Sequence, residues 1–387
     1  MSLAPGRAPK KPLISANQVT LARLIPMPLL SWLIYEGAQQ GYENNLYMWS
    51  ALIAGVFVGC TDWVDGLLAR KYGPTVLGGL LDPIADKVFI AFAYTPFADD
   101  IVKADGSVGS LVPAWVVALM FTREFFITAL RSAYEQRQLT LKTSYIAKFK
   151  TWAQMQGIGV MLLFPLVPAD NQYILLWFLG AFVALPIPLV AYFWVRKKKL
   201  WKGGVLMTSS VLPIFLLALY GDNTLTLRWI MLAVVGLTWI SGIDYIVGGW
   251  KQLRGRGDFS RADAVRLIGA LALPALLFAV LVETPAPPWP VLTILAFELA
   301  VGGLDNLLSH HKKATKALAW GGRVLGVSAL LGAALLLPAY ATPLSIVAAV
   351  VSAIGVSAEF WRGRDYFMDK RIRDKALREA AAAESRS

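Results

Sequence analysis

Long apolar stretches separated by short, mostly charged connections leave this chain few ways to fold. They fall at 21–36, 46–61, 83–98, 111–130, 152–168, 173–195, 203–220, 228–247, 264–282, 288–307, 323–339 and 342–359. A helix needs roughly 20 mostly apolar residues to cross a bilayer, and a backbone without water around it must satisfy its own hydrogen bonds. The expected fold is therefore all-α, a polytopic transmembrane helical bundle of about 12 spans with no room for a large soluble domain. The composition agrees: 57% of residues are hydrophobic and 16% charged, which excludes a disordered chain or a secreted disulfide scaffold. The single cysteine, Cys60, has no partner for a disulfide or a zinc-thiolate site and is expected to be a small packed residue.

The net charge of +12 is spread over the connections rather than gathered in one basic domain, so it reports membrane orientation and not nucleic acid. Basic residues recur in alternate connections, from Arg7 to Lys11, at Arg70 and Lys71, from Arg131 to Lys150, from Arg196 to Lys202, from Lys251 to Arg261, from Lys312 to Arg323 and from Arg362 to Arg378. The opposite connections hold Lys103, Arg228 and the acids Asp99, Asp100, Asp105 and Glu283. The positive-inside rule then puts both termini in the cytoplasm, as expected for a multi-pass protein of a cell inner membrane. The first apolar stretch is long and lacks a small-residue cleavage site, which argues against a cleaved signal peptide. The polar, glycine-containing stretch 251–260 reads as a linker, dividing a front block 1–254 from a membrane block 255–360 and a charged cytoplasmic tail 361–387.

The chemistry sits where the second span ends. Asp62-Trp-Val-Asp65-Gly66-Leu-Leu-Ala69-Arg70 is followed, after seven residues, by Gly78-Gly-Leu-Leu-Asp82-Pro-Ile-Ala-Asp86-Lys87. Spacings of three and four put Asp62 with Asp65, and Asp82 with Asp86, on one helix face each, so two helix ends aim four carboxylates into one small volume. Ionised carboxylates at a membrane boundary need compensation, and hard divalent cations with oxygen ligands are the usual form. Two such ions would suit phosphoryl transfer by bridging phosphate oxygens. Gly66 and Gly78 let a ligand approach the backbone closely, and Arg70 is placed to meet a phosphate or a base. Single loop aspartates often only cap helices; four at this spacing, with both glycines and the Ala-Arg pair, point to a site.

The pattern Asp62-x2-Asp65-Gly66-x2-Ala69-Arg70-x7-Gly78-x3-Asp82-x3-Asp86 resembles the signature of the CDP-alcohol phosphatidyltransferases, integral membrane enzymes of phospholipid synthesis. The resemblance implies that Asp62, Asp65 and Asp82 hold two divalent ions, magnesium or manganese, and that Asp86 is both a ligand and the general base. It also implies that the cytidine diphosphate part lies near Gly66, Ala69, Arg70 and Gly78.

The acceptor alcohol must be read elsewhere. The fourth span carries Arg123-Glu124-Phe-Phe-Ile-Thr-Ala-Leu-Arg131, and the next connection ends in Lys148-Phe-Lys150-Thr151-Trp-Ala-Gln154. Arginine inside a long apolar run is not explained by the charge rule, and these cations fit an anionic acceptor better than a neutral polyol. Together with Asn17-Gln-Val-Thr20-Leu-Ala-Arg23 and Trp239-Ile-Ser241-Gly242-Ile-Asp244-Tyr245, these segments resemble the phosphatidylglycerophosphate synthase branch of the family. On that resemblance CDP-diacylglycerol is the donor, sn-glycerol 3-phosphate the acceptor, and Arg123, Arg131 and Lys148 bind the acceptor phosphate.

The chain departs from that branch, whose members have six spans. A hairpin at 173–220 is inserted between the fifth and sixth family helices, and four further spans follow. Ala22-Arg23-Leu24-Ile25 is echoed by Val265-Arg266-Leu267-Ile268, and Asp65-Gly66-Leu67-Leu68 by Asp305-Asn306-Leu307-Leu308, so 255–360 reads as a candidate degenerate copy. That copy has Gly302 where Asp62 stands and lacks the metal ligands; its expected role is structural, filling a face that family homodimers would use. Other acceptors (inositol phosphate, serine, phosphatidylglycerol) stay open, as does a twelve-span transporter, which would place its coupling carboxylates nearer the midplane. His310 and His311, beside Lys312 and Lys313, read as a basic cluster for anionic lipid, Glu298 as a buried acid in need of a partner, and the tryptophans as interfacial anchors.

Overall fold

The computed structural model describes residues 16–368 apart from 44, 73–75, 103–107, 138, 140–144, 199, 257–259 and 311–316. The front helices are α1 (Ala16–Leu24), α2 (Pro26–Gln39), α3 (Leu46–Tyr72), α4 (Val76–Ala98), α5 (Ala114–Gln136) and α6 (Tyr145–Leu163). There follow α7 (Gln172–Ala184), α8 (Pro186–Lys197), α9 (Lys202–Tyr220) and α10 (Asn223–Arg256). The chain closes with α11 (Arg261–Glu283), α12 (Pro288–His310), α13 (Ala317–Leu336) and α14 (Ala341–Met368). A short antiparallel pair, β1 (Ile101–Val102) with β2 (Val108–Gly109), ties the connection between α4 and α5.

Helix occupies most of every apolar stretch expected to span. The stretch 173–195 is broken at Pro186, and the first span is preceded by α1 because Pro26, with no N–H to donate, is tolerated only in the opening turn of α2. Among the described residues seven segments are long and apolar enough to cross a membrane by themselves: Leu46–Leu68, Gln172–Lys197, Lys202–Tyr220, Asn223–Gly249, Asp263–Glu283, Pro288–Asn306 and Pro338–Arg364. Of the other expected spans, α2 has only 14 residues, the apolar part of α13 is short, and α4, α5 and α6 carry the charged residues of the site below. The protein is a polytopic helical membrane protein.

Cys60 departs from expectation: it is exposed, not packed. It lies on the face of α3 that also presents Ile53, Val56 and Phe57, and in a bilayer such an outward apolar stripe meets hydrocarbon. Trp49, Trp115, Trp177, Trp201 and Trp361 are likewise exposed.

Two packing features position the site. Helix α5 is central, with α10 on one side and α11 and α12 on another; α6 closes against α10, and α2 lies on α3 and α4. The rear helices are docked on this core. Gly302 and Gly303 let α12 approach closely, since a Cβ at these positions would stand 3.1 Å from Thr128 of α5 and 2.7 Å from Ile84 of α4. The start of α11 is fixed by a reciprocal capping box between Ser260 and Asp263, and Asp263 also accepts from Arg137 Nη2 just after α5, at 2.5 Å. By contrast, α7 and α8 pack chiefly on α9 rather than on α5.

Candidate active site

The two long helices α3 and α4 meet at the motif. Asp62 and Asp65 stand on α3, Asp82 and Asp86 on α4, and the short helix α1 lies across both with Thr20 and Arg23 on one face, three residues apart. The Thr20 hydroxyl is 3.1 Å from Asp65 Oδ2 and 3.0 Å from Asp82 Oδ1, so one O–H serves two carboxylates on different helices. Arg23, 2% exposed, donates from Nη1 to Asp62 Oδ1 at 2.5 Å and lies 3.4 Å from Asp86 Oδ1. All four motif aspartates are thus gathered around Thr20 and Arg23 of α1.

The donor set is four carboxylates, which are hard oxygen ligands of the kind that bind magnesium or manganese. One guanidinium offsets one of four negative charges, and Asp86 Oδ1 is buried without a hydrogen-bond donor, so the chemistry of the site fits added divalent charge. In the present arrangement Thr20 and Arg23 stand between the acids. Among the described residues no three acid, histidine or cysteine side chains converge closely enough to enclose an ion. Gly66 and the buried Gly78 flank the turn, while Ala69 and Arg70 lie in the last turns of α3 with side chains outside the described residues.

A second polar cluster is buried on the other side of α4. Successive helix residues point about 100° apart, so Lys87 turns away from the carboxylates next to Asp86. Its ammonium donates to Thr128 Oγ1 at 2.7 Å and feels the charges of Glu124, Lys150, Arg131 and Arg123. Glu124 is the hub of this cluster. Its Oε1 accepts from Lys150 Nζ at 2.5 Å and Arg123 Nη1 at 3.3 Å, with Gln154 Nε2 at 3.5 Å. Arg123 also donates from Nη2 to Ser241 Oγ of α10 at 2.8 Å. Arg131 reaches the Tyr245 hydroxyl at 3.1 Å, with its guanidinium 5.3 Å from the ring centroid.

The structure therefore brings together Asp62, Asp65, Asp82 and Asp86, and separately Arg123 and Arg131. The side chain of Lys148 lies outside the described residues, and the basic residue of α6 found in the cluster is Lys150. Sequence reasoning assigned no role to Thr20, Arg23, Lys87 or Glu124. A signal was present for the first pair, because Thr20 and Arg23 share a helix face beside a membrane boundary. For Lys87 and Glu124 it was adjacency to assigned residues, Asp86 and Arg123.

A family model described as CDP-alcohol phosphatidyltransferase matches residues 13–194, a stretch that contains both aspartate pairs, α1 and the α5–α6 cations. A CDP-diacylglycerol--glycerol-3-phosphate 3-phosphatidyltransferase of Bacillus subtilis is 31% identical over 174 residues, which are 42% of this chain and 84% of that protein. The chain belongs to the CDP-alcohol phosphatidyltransferase family. A protein of the same name in Salmonella choleraesuis is 31% identical over 173 residues, covering 43% of this chain and 86% of the relative. One in Mycobacterium tuberculosis, named a probable phosphatidylglycerophosphate synthase, is 36% identical over 149 residues, 38% of this chain and 65% of the relative. No solved structure matches. This family member is an enzyme, and the family match ends before α9. The Ser241 and Tyr245 partners of the two arginines come from α10, beyond the matched stretch.

Proposed function

We propose that this phosphatidyltransferase transfers the phosphatidyl group of CDP-diacylglycerol to sn-glycerol 3-phosphate, giving phosphatidylglycerophosphate and CMP. The observation that carries the reading is the pairing of two clusters across α4, carboxylates around Arg23 on one side and cations around Glu124 on the other. The names of the Bacillus subtilis and Salmonella choleraesuis relatives support the same donor and acceptor.

In this reading Asp62, Asp65, Asp82 and Asp86 hold two magnesium or manganese ions, which when bound neutralise the pyrophosphate of the donor. Gly66, Ala69, Arg70 and Gly78 seat the cytidine diphosphate. Arg123 and Arg131, with Lys150 and Lys148 of α6, hold the acceptor phosphate by charge-assisted hydrogen bonds. Asp86 takes the proton of the acceptor's primary hydroxyl; the new bond forms to the β-phosphorus, the bond from that phosphorus to the bridging oxygen breaks, and CMP leaves. Asp86 suits the base because its Oδ1 is buried without a hydrogen-bond donor, whereas Asp62, Asp65 and Asp82 each accept from Arg23 or Thr20. The alternating basic connections support a site on the cytoplasmic face of an inner membrane, with residues 1–254 as the catalytic unit, the 173–220 hairpin as an insertion and 255–360 as an accessory block.

The test is CMP release by purified full-length protein given CDP-diacylglycerol and magnesium, with each acceptor supplied separately. Release that requires glycerol 3-phosphate supports the reading, and release with inositol phosphate, serine or phosphatidylglycerol in its place overturns the acceptor assignment. Asp86→Asn should lower turnover by at least about 100-fold, the contribution expected of a general base. Near-normal turnover in that variant would remove Asp86 from this role.

A further inference from the structure

An apolar groove of about 720 Å³ runs at the level of the carboxylate cluster. Its front walls are α2 and α4, and its rear walls are α12 and α14, which lie beyond the stretch matched by the family. One end of the groove lies at the level of the site: Leu81 precedes Asp82 on α4, and Leu24 follows Arg23 on α1. It extends from Leu81 to Phe92 on α4 and from Leu304 to Thr293 on α12, eleven residues along each helix. At 1.5 Å per residue that is about 16 Å, which is the depth of one leaflet of a hydrocarbon core about 30 Å thick. At the end near the site, Trp361 is 68% exposed and carries the Arg364 guanidinium 3.9 Å above its ring, an arrangement suited to the headgroup level.

We infer that this groove seats an acyl chain of the lipid donor, so that the rear block forms part of the lipid-binding site. The inference rests on the donor proposed above and specifies where its hydrocarbon lies. Three observations favour a chain over a second polypeptide. One end of the groove lies at the level of the carboxylates, its length is that of one leaflet, and the small residues Ala296 and Ala300 on α12 leave room for a narrow occupant. A diacyl lipid whose phosphates lie at the aspartates has to lead its tails into the bilayer, and this groove starts at that level of α4.

The experiment uses the full-length protein in nanodiscs with CDP-diacylglycerol bearing a diazirine midway along one acyl chain. Photolabelling should fall on the α12 peptide containing Ala296 and Ala300 or on α14 near Val356, and excess unlabelled CDP-diacylglycerol should abolish it. Labelling confined to other helices, or labelling that the unlabelled donor does not displace, overturns the assignment; neither result depends on turnover. In a second arm, Ala300→Phe should raise the KM for a dioleoyl donor at least about tenfold, the order expected when an apolar pocket loses room. The KM for a dihexanoyl donor should stay within about twofold, because its chains end before the constriction. Equal effects on the two donors overturn the groove. Absence of CMP release from the unmodified enzyme with every acceptor would instead overturn the proposed reaction, and the photolabelling would still decide the groove.

Discussion

Replacing Glu124 with glutamine removes a buried carboxylate that three donors share. Its Oε1 takes Lys150 Nζ at 2.5 Å, Arg123 Nη1 at 3.3 Å and Gln154 Nε2 at 3.5 Å, and the side chain is 5% exposed. A hydrogen bond to a charged group contributes about 1.5–3 kcal/mol, and stripping one partner from a buried ion pair costs about 3–5 kcal/mol. Glutamine keeps one acceptor oxygen, so a loss of about 3 kcal/mol is the middle expectation, or roughly two decades in an equilibrium constant. Part of it appears as lower thermal stability. The rest appears at the acceptor site, because Arg123 keeps its Ser241 contact but loses the group that orients its other nitrogen. The KM for glycerol 3-phosphate should rise at least about tenfold while that for CDP-diacylglycerol changes less than about twofold, the signature of lost acceptor binding. The assay is CMP release with each substrate varied against saturating levels of the other, alongside thermal unfolding in the same detergent. An unchanged acceptor KM with an unchanged midpoint would refute the view that Glu124 organises the cationic face.

Further outcomes follow from particular contacts. Thr20→Val keeps the shape but removes the hydroxyl between Asp65 and Asp82, and CMP release should fall about 10- to 100-fold, matching one charge-assisted hydrogen bond, with Thr20→Ser restoring most of it. Arg323 Nη2 is 3.1 Å from Glu298 Oε2 between α13 and α12; Arg323→Met leaves that acid buried and should cost about 3–5 kcal/mol, whereas the double Glu298→Leu, Arg323→Leu variant should recover most of it in thermal unfolding. Asp99, in the connection after α4, has its carboxyl pushed up to about 6, first by burial and then by Asp100, against the opposing Tyr35 hydroxyl and a backbone N–H. Because its folded value is raised, the folded state holds the proton between about pH 4 and 6 while the unfolded state has lost it, so stability from this group rises as pH falls through about 6. Asp99→Asn should therefore stabilise the protein at pH 7.5 by up to about 3 kcal/mol and have little effect at pH 4; a difference that does not change with pH would refute this.

The motif was legible because it is local. Spacings of three and four on α3 and α4 are enough to put two pairs of aspartates on helix faces, and a resemblance resting on those residues led to the family. Arg123 was conspicuous for a similar reason, as a charge inside an apolar run. Lys148 and Lys150, two residues apart within one turn of α6, look alike in sequence; only the approach of α6 to Glu124 shows that Lys150 belongs to the cluster, while the side chain of Lys148 lies outside the described residues. Cys60 was misplaced because an apolar stripe in a membrane helix gives no sign of whether it faces protein or lipid. Glu298 could be recognised as needing a partner, but the partner, Arg323, is on another helix.

By itself the sequence determined the helices, because a bilayer forces any apolar stretch of sufficient length to satisfy its own backbone. It also determined the residue types at the end of α3 and the start of α4, and through them the chemistry. The tertiary structure decided which faces meet. Thr20 reaches Asp82 across 62 residues and Arg123 reaches Ser241 across 118, distances over which helical periodicity carries no information. The same holds for α10, which returns past the α7–α9 excursion to complete the cationic cluster, and for the rear block, whose Gly302 and Gly303 seat α12 on the catalytic helices and so create the groove. In hydrocarbon every apolar face is equally satisfied by lipid, so close packing and buried polar partners, not hydrophobicity, choose the neighbours.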